Sequence, residues 1–255
     1  MAAKRSEYRA SGALITLAWV VALLVVWSFG SAFSLPSLGE IPGAWLELVR
    51  QEGLLYELGV SMKLNAEAVA LSTLISVSLA YLTVDKIGRP PVIMLSRFRF
   101  FGMAGFVIIF TRIFGGGHAL KVALLVFGMS AFFITSMVDI VASTTREEYD
   151  HTRTLRMSRW RGVLEVVILG KADLAFDALR QNAAIGWMML TMVEGLVRYE
   201  GGVGVIMLNE SKYRNLAAVF AAQLTVLFVG VVQDQFIVWV KNTVCPHARL
   251  VLERK

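Results

Sequence analysis

Apolar residues in this chain come in long unbroken blocks rather than in the alternating or one-sided patterns of a soluble fold. The blocks run Ala13 to Phe33, Ala66 to Val84, Phe100 to Phe114, Val122 to Val141, Leu174 to Val197 and Leu216 to Val240. Most have the roughly 17 to 25 residues that a helix needs to cross about 30 Å of hydrocarbon. A core helix of a soluble domain is shorter and keeps a polar stripe. Pro36, Pro42, Pro90 and Pro91 all fall between blocks, where a missing N–H costs little. The pattern predicts an all-α polytopic membrane protein with about six transmembrane helices, in one domain over residues 1–255. Gly30-Ser31-Ala32 resembles a signal-peptide cleavage site. The preceding apolar run is longer than the 7 to 15 residues of a signal core, so an uncleaved first span is expected.

Two segments between blocks carry a pattern of their own. Ile41 to Leu58 sets Trp45, Leu48, Val49, Leu55 and Leu58 among Glu47, Arg50, Glu52 and Glu57. That mixture predicts an interfacial amphipathic helix, broken at Gly53. Ser143 to Lys171 is charged but interleaved with Tyr149, Leu155, Met157, Trp160, Val163 and Leu164. A helix over Thr145 to Leu155, a turn at Met157-Ser158 and a second helix fit it. Ser158 is placed as N-cap, its hydroxyl accepting from an orphan N–H.

Composition supports the membrane reading. Of 255 residues 56% are hydrophobic and 17% charged, with a mean hydropathy of +0.64. Soluble domains average about 25% charge. Charge then orients the chain. With the N-terminus inside, 17 of the 25 Lys and Arg lie in inner segments, six in outer ones, and Lys63 and Arg180 at or within blocks. That bias places both termini in the cytoplasm. The net charge of +6 does not mark a nucleic-acid binder, because no basic stretch is interleaved with exposed aromatics.

Candidate chemistry is sparse. Cys245 is the one cysteine, and His118 and His151 lack metal-ligand spacing. There is no Gly-x-x-x-x-Gly-Lys-Ser/Thr phosphate loop, and no Gly-x-Ser-x-Gly or His-Glu-x-x-His motif. Charged or polar groups inside spans are costly and tend to face a cavity or a partner. Lys63, Glu67, Arg180, Gln181, Asn182, Trp187 and Glu194 are therefore the translocation-pathway candidates. Lys63 and Glu67, four apart, can also pair on one helix face, and Lys63, Glu67 and Arg180 can instead snorkel from helix ends. Trp187, with Met188 and Met189, is expected to pack helix on helix rather than touch solute.

Several short pieces occur in a telling order. Leu35-Pro36-Ser37 follows the first block and Ser61-Met62-Lys63 opens the second. Phe114-Gly115-Gly116-Gly117 with Lys121-Val122 joins the third and fourth. Leu155-Arg156-Met157-Ser158-Arg159-Trp160 lies between the fourth and fifth. Trp187, Glu194 and Gly201-Gly202-Val203-Gly204 span the fifth block and its following loop, and Asp234 lies late in the sixth. From about Ser61 to Trp239 this order resembles the permease subunit of binding-protein-dependent ABC importers, closest to the nitrate, sulfonate and taurine branch.

The resemblance implies a type I importer permease for a small anionic solute. It implies a second permease copy, identical or related, separate ABC ATPase subunits carrying ATP and Mg, and a periplasmic substrate-binding protein. This chain would be non-catalytic, without a cofactor of its own, in the lipid of the inner membrane. Residues 143–171 become the cytoplasmic coupling region, with Tyr149, Asp150, Arg153, Leu155, Arg156, Met157, Ser158, Arg159 and Trp160 facing the ATPase. Tyr149, Leu155, Met157 and Trp160 would form an apolar plug, and the arginines would fix its register through forked bonds to carboxylates. The coupling motif departs from the family's. Asp150-His151-Thr152 stands for Glu-Ala-Ala, Arg156 for a glycine, and Ile168-Leu169 for Leu-Pro. Arg97-Phe98-Arg99-Phe100 replaces a proline-rich start of the third span. A secondary transporter or channel is the competing reading, although no inverted repeat is apparent; a membrane enzyme would need a catalytic constellation the chain lacks.

Overall fold

The computed structural model describes residues 36–84 and 88–246 together with residues 15, 18, 19, 21, 22, 25 and 27, without the side chains at 104, 146, 149, 153, 159 and 160. The block Ala13 to Phe33 thus lies largely outside the described residues, as do Arg249, Arg254 and Lys255. Every regular element among the described residues is helical. In chain order they are α1 (Glu40–Gln51), α2 (Leu54–Leu82), α3 (Arg89–Ser96) with a 3₁₀ turn Arg97–Phe100, α4 (Met103–Phe114) and α5 (His118–Ala142). There follow α6 (Arg146–Thr154), α7 (Arg159–Gly162) running into a π-helical stretch Val163–Leu169, α8 (Ala172–Leu196), α9 (Val203–Lys212) and α10 (Leu216–Val244).

The expected break at Gly53 is present, with φ of 64° in the left-handed region that a Cβ disfavours. It ends α1 and lets α2 begin, so Leu55 and Leu58 belong to the long helix rather than to the interfacial one. The second apolar block consequently starts at Leu54, twelve residues earlier than the apolar pattern indicated. On α2, Ala68, Ser72, Ser76 and Ala80 recur every four residues and are all buried. Small residues at this spacing let helices approach closely in lipid; Ser76 Oγ donates to the Ser130 carbonyl of α5 at 3.4 Å, and Ser72 Oγ accepts from Asn182 of α8 at 3.2 Å.

Among the described residues α2, α5 and α10 are long and apolar enough to cross a membrane. α8 has 25 residues, but Arg180, Gln181, Asn182 and Glu194 dilute its apolar character. The third expected block does not form one straight span. Its α4 has only 12 residues, a rise of about 18 Å, and the chain bends by 117° between the α3 segment and α4. If that bent pair is a single span, four are described.

Two cores stack along the bundle. One joins Leu54, Leu64, Leu124, Met129, Trp187, Leu190, Val203 and Ala222. The other gathers Ala80, Phe133, Met137, Val163, Val167 and Ala178 near the α6–α7 segment. Ahead of α1, the Trp27 indole donates to the Pro36 carbonyl at 3.0 Å and stands edge-on to Phe220 of α10.

Candidate functional site

α8 and α10 are antiparallel neighbours, and the polar residues that weaken α8 as an apolar span meet partners on α10. Arg180 makes a forked bond to Asp234, Nε to Oδ1 and Nη2 to Oδ2, both at 2.7 Å. Toward the α8 start, Lys241 donates to Asp177 at 2.7 Å, and Asp177 also lies 3.9 Å from Arg180. Toward the other end, Gln233 Oε1 accepts from the Trp187 indole at 2.7 Å and from Asn65 of α2 at 2.9 Å. Beside the Arg180–Asp234 and Trp187–Gln233 pairs lies a half-open groove of about 590 Å³, walled by Arg180, Trp187, Thr191, Gln223, Gln233, Asp234 and small or apolar residues. This size lies within the 300–1,000 Å³ range of small-molecule sites.

Of the pathway candidates, Arg180 and Trp187 line this groove. Asn182 is buried and donates to Ser72 of α2 at 3.2 Å, so it fastens helices instead. Gln181 is exposed and forms none of the groove wall. Lys63 and Glu67 belong to a separate cluster, where Lys63 Nζ is 3.9 Å from Glu67 and His118 Nε2 is 2.6 Å from it. His118 Nδ1 is 3.6 Å from Glu200. Gln233 and the role of Asp234 escaped sequence reasoning, since an amide or carboxylate in an apolar run does not reveal its partner on another helix.

Glu194 is fully buried and does not reach the groove. Its carboxylate accepts from Ser61 Oγ at 2.7 Å and from the Gly204 N–H at 2.8 Å, while Ser61 Oγ accepts from the Val203 N–H at 3.0 Å. Glu57 accepts from the Gly202 N–H, and the buried Lys121 donates to the Gly201 carbonyl at 2.7 Å. The start of α9, where orphan amides favour anions, is thus held by carboxylates from α2 and α8. Glycine is required here. Gly202 has φ of 116°, and a Cβ there would come within 2.6 Å of the Glu194 carboxyl atoms.

The coupling segment forms a helix–turn–helix. Thr145 and Glu148 make a reciprocal capping box: Thr145 N–H donates to Glu148 at 2.9 Å and Glu148 N–H to Thr145 Oγ1 at 3.3 Å. That bond, reinforced by Lys171 at 3.0 Å, holds the Glu148 carboxyl below its usual range. The turn passes through Arg156 at φ of 53°. Ser158 caps α7 as expected, its Oγ accepting from the Arg161 N–H at 3.4 Å. Thr152 packs beneath Gly162, where a Cβ would lie 2.9 Å from its Oγ1. Leu155 is 57% exposed, Asp150, Arg156 and Ser158 are exposed, and Met157 is half-buried. The side chains of Tyr149, Arg153, Arg159 and Trp160 lie outside the described residues.

Fold and site together define a helical membrane protein with a polar seam between two helices and a capped helix–turn–helix inserted before one of them. No family model matches the sequence, and no curated protein matches it. Among solved structures, a chain in the crystal structure of an amino acid ABC transporter with histidines is similar. The TM-score is 0.56 at 14% identity, covering 78% of this chain and 96% of that one. At that identity the likeness is one of fold: the chain shares the fold of an ABC transporter chain.

Proposed function

We propose that this chain is the permease subunit of an ATP-driven ABC importer. The observation that carries the reading is the helix–turn–helix of α6 and α7, interposed between long apolar helices of an ABC-transporter fold. Its capped, turn-locked backbone offers Leu155 and Met157 as a stiff, partly apolar projection. On this reading the chain has six spans with both termini in the cytoplasm of the inner membrane, and it pairs with a second permease copy. Separate ATPase subunits bind ATP and Mg and dock on the 143–160 loop; this chain catalyses nothing and holds no cofactor. A periplasmic binding protein delivers a small solute. The resemblance to the nitrate, sulfonate and taurine branch argues that the solute carries an anionic group, and Arg180 is the cation its groove offers.

The test is co-purification with an ATPase chain and solute-stimulated ATP hydrolysis in proteoliposomes. Leu155→Asp with Trp160→Asp places charge in the 143–160 loop and is expected to abolish stimulated hydrolysis while the chain remains folded. Unaltered assembly and transport in that double variant would overturn the reading. A secondary transporter or channel predicts instead solute flux driven by an ion gradient through this chain alone.

A further inference from the structure

We propose that the bend between α3 and α4 is a binding site for an anionic phospholipid of the inner leaflet. Arg97 and Arg99 hold its phosphate, while Phe100, Phe101 and the outer face of α4 lie along its acyl chains. The proposal goes beyond the permease reading and needs from it only the cytoplasmic placement for which the basic residues of this segment argue.

No Asp or Glu occurs between Asp85 and Asp139, so Arg97 and Arg99 have no acidic neighbour close in sequence. The fold does not bring one in from elsewhere. Among the described residues neither guanidinium has an ion-pair or hydrogen-bond partner, and Arg99 meets only the Phe100 ring, 5.0 Å from its centroid. Both arginines are exposed. A 3₁₀ turn has three residues per revolution, and Phe98 takes the inward direction. It is half-buried, stacked on Phe101 at 5.4 Å and edge-on to Phe127 of α5 at 6.1 Å. Arg97 and Arg99 are thereby left in the two outward directions, positioned by a packed aromatic rather than by a carboxylate.

Whatever covers them must supply an anion beside hydrocarbon. Phe100 is 77% exposed and Phe101 59%, and the chain turns at once into α4, where Ile108, Ile109 and Ile113 are exposed as well. A soluble acidic protein surface would neutralise the arginines and leave these apolar side chains against water. A phospholipid meets both demands: its phosphate oxygens accept from the guanidinium forks, and its chains run along the aromatic and aliphatic side. Arginine suits this level of a bilayer, because its stem lies along apolar surface while its charge stays among the headgroups. The 117° bend sets the turn across the direction of α4, so the arginines sit in the headgroup layer where α4 enters the hydrocarbon. A zwitterionic headgroup would bring an ammonium that two unpaired guanidinium groups repel. Lipid of net negative charge is therefore preferred.

The experiment uses the full chain in detergent, with phosphatidylglycerol and phosphatidylethanolamine of identical acyl chains as probes and native mass spectrometry as the readout. Phosphatidylglycerol is expected to fill its first site about tenfold more tightly than phosphatidylethanolamine. Arg97→Gln with Arg99→Gln should lower phosphatidylglycerol affinity by about tenfold and leave phosphatidylethanolamine unchanged. Arg112→Gln, at the far end of α4, removes one charge elsewhere and should alter neither. Phe100→Ser should weaken both lipids alike, because the acyl contact does not read the headgroup. Arg97→Lys with Arg99→Lys keeps both charges and should retain most of the preference. It tests the proposal even where the neutral pair does not fold, since a Lys pair that binds the two lipids alike overturns it. Equal affinity of the parent chain for the two lipids, a preference that survives the double Gln variant, or an equal loss from Arg112→Gln would each overturn it too. A double Gln variant that keeps the lipid preference but no longer co-purifies with an ATPase chain would assign the arginines to an acidic protein surface instead.

Discussion

Glu194 and Glu148 perform the same physical task at two ends of the bundle under opposite conditions. Each carboxylate accepts a backbone N–H at or just ahead of the start of a helix, Glu194 from Gly204 and Glu148 from Thr145. Glu194 is wholly buried and reaches across the fold, joining α8 to the start of α9 and to Ser61 of α2. Glu148 is about two-fifths exposed and caps its own helix. The buried bond is long-range and has no water to replace it, whereas water competes with the exposed one at once. A shared motif therefore has a structural weight set by burial, and the two sites should separate when each is broken.

The largest effect is expected from Glu194→Ala. It leaves the Ser61 hydroxyl and the Gly204 amide without their acceptor in a dry site, at about 1–3 kcal/mol for each buried polar group. We expect a loss of about 3 kcal/mol, read as a lower melting temperature of the purified protein in detergent. A melting temperature within a degree of the parent would show that water replaces the carboxylate after all, and the contrast with Glu148 would collapse. Gly202→Ala attacks the same lock from the other side. The left-handed backbone costs about 1–3 kcal/mol to impose on a side chain, and the new Cβ collides with Glu194. About 2–3 kcal/mol is expected, and the double variant with Glu194→Ala should cost less than the two losses added together, because the collision has gone.

How far the sequence reveals these sites follows from the same distinction. Local features were legible: the Gly53 break, the Ser158 cap and the approximate position of the helix–turn–helix each depend on residues within four of one another. The apolar blocks around α5, α8 and α10 were legible because their periodic partner is lipid or a neighbouring apolar face. The early start of α2 was hidden, because Glu57 fell in the amphipathic stretch ahead of it and Lys63 interrupts the apolar run before Ala66. Glu57 is held by Gly202, 145 positions away, and Glu67 by His118, 51 positions away. The Arg180–Asp234 bond joins residues 54 apart. The sharp bend before α4 likewise turns on packing among Phe98, Phe101, Phe106 and Phe127, which run lengths do not encode.

At the exposed end the effects should be smaller and include a gain. Arg156 occupies the left-handed turn between α6 and α7, a conformation that costs an L side chain about 1–2 kcal/mol. Arg156→Gly removes that strain, partly offset by the greater freedom of glycine in the unfolded chain. A net gain of about 0.5 kcal/mol is expected, seen as slower proteolysis between Thr154 and Ser158. Faster cleavage there would mean that the guanidinium braces the turn by a contact worth more than the backbone strain.

The smallest effect belongs to Glu148, and its pH dependence gives it a sign. Its carboxyl is held below the usual range, first by the Thr145 N–H and then by Lys171. A group depressed in the folded state stabilises above its unfolded pKa, about 4.3 for glutamate, and loses that contribution as pH falls through the folded value. At about two-fifths exposure solvent screens most of the ion pair, so a few tenths of a kcal/mol are at stake. The Thr145 amide should therefore show about twofold more hydrogen-exchange protection at pH 7 than in a Glu148→Ala variant, after correction for intrinsic rates. That margin should vanish in acid below the folded value. A margin persisting there would mean that Thr145 is ordered by the helix–turn–helix packing itself, with Thr152 seated under Gly162, and that the carboxylate merely occupies a site already made.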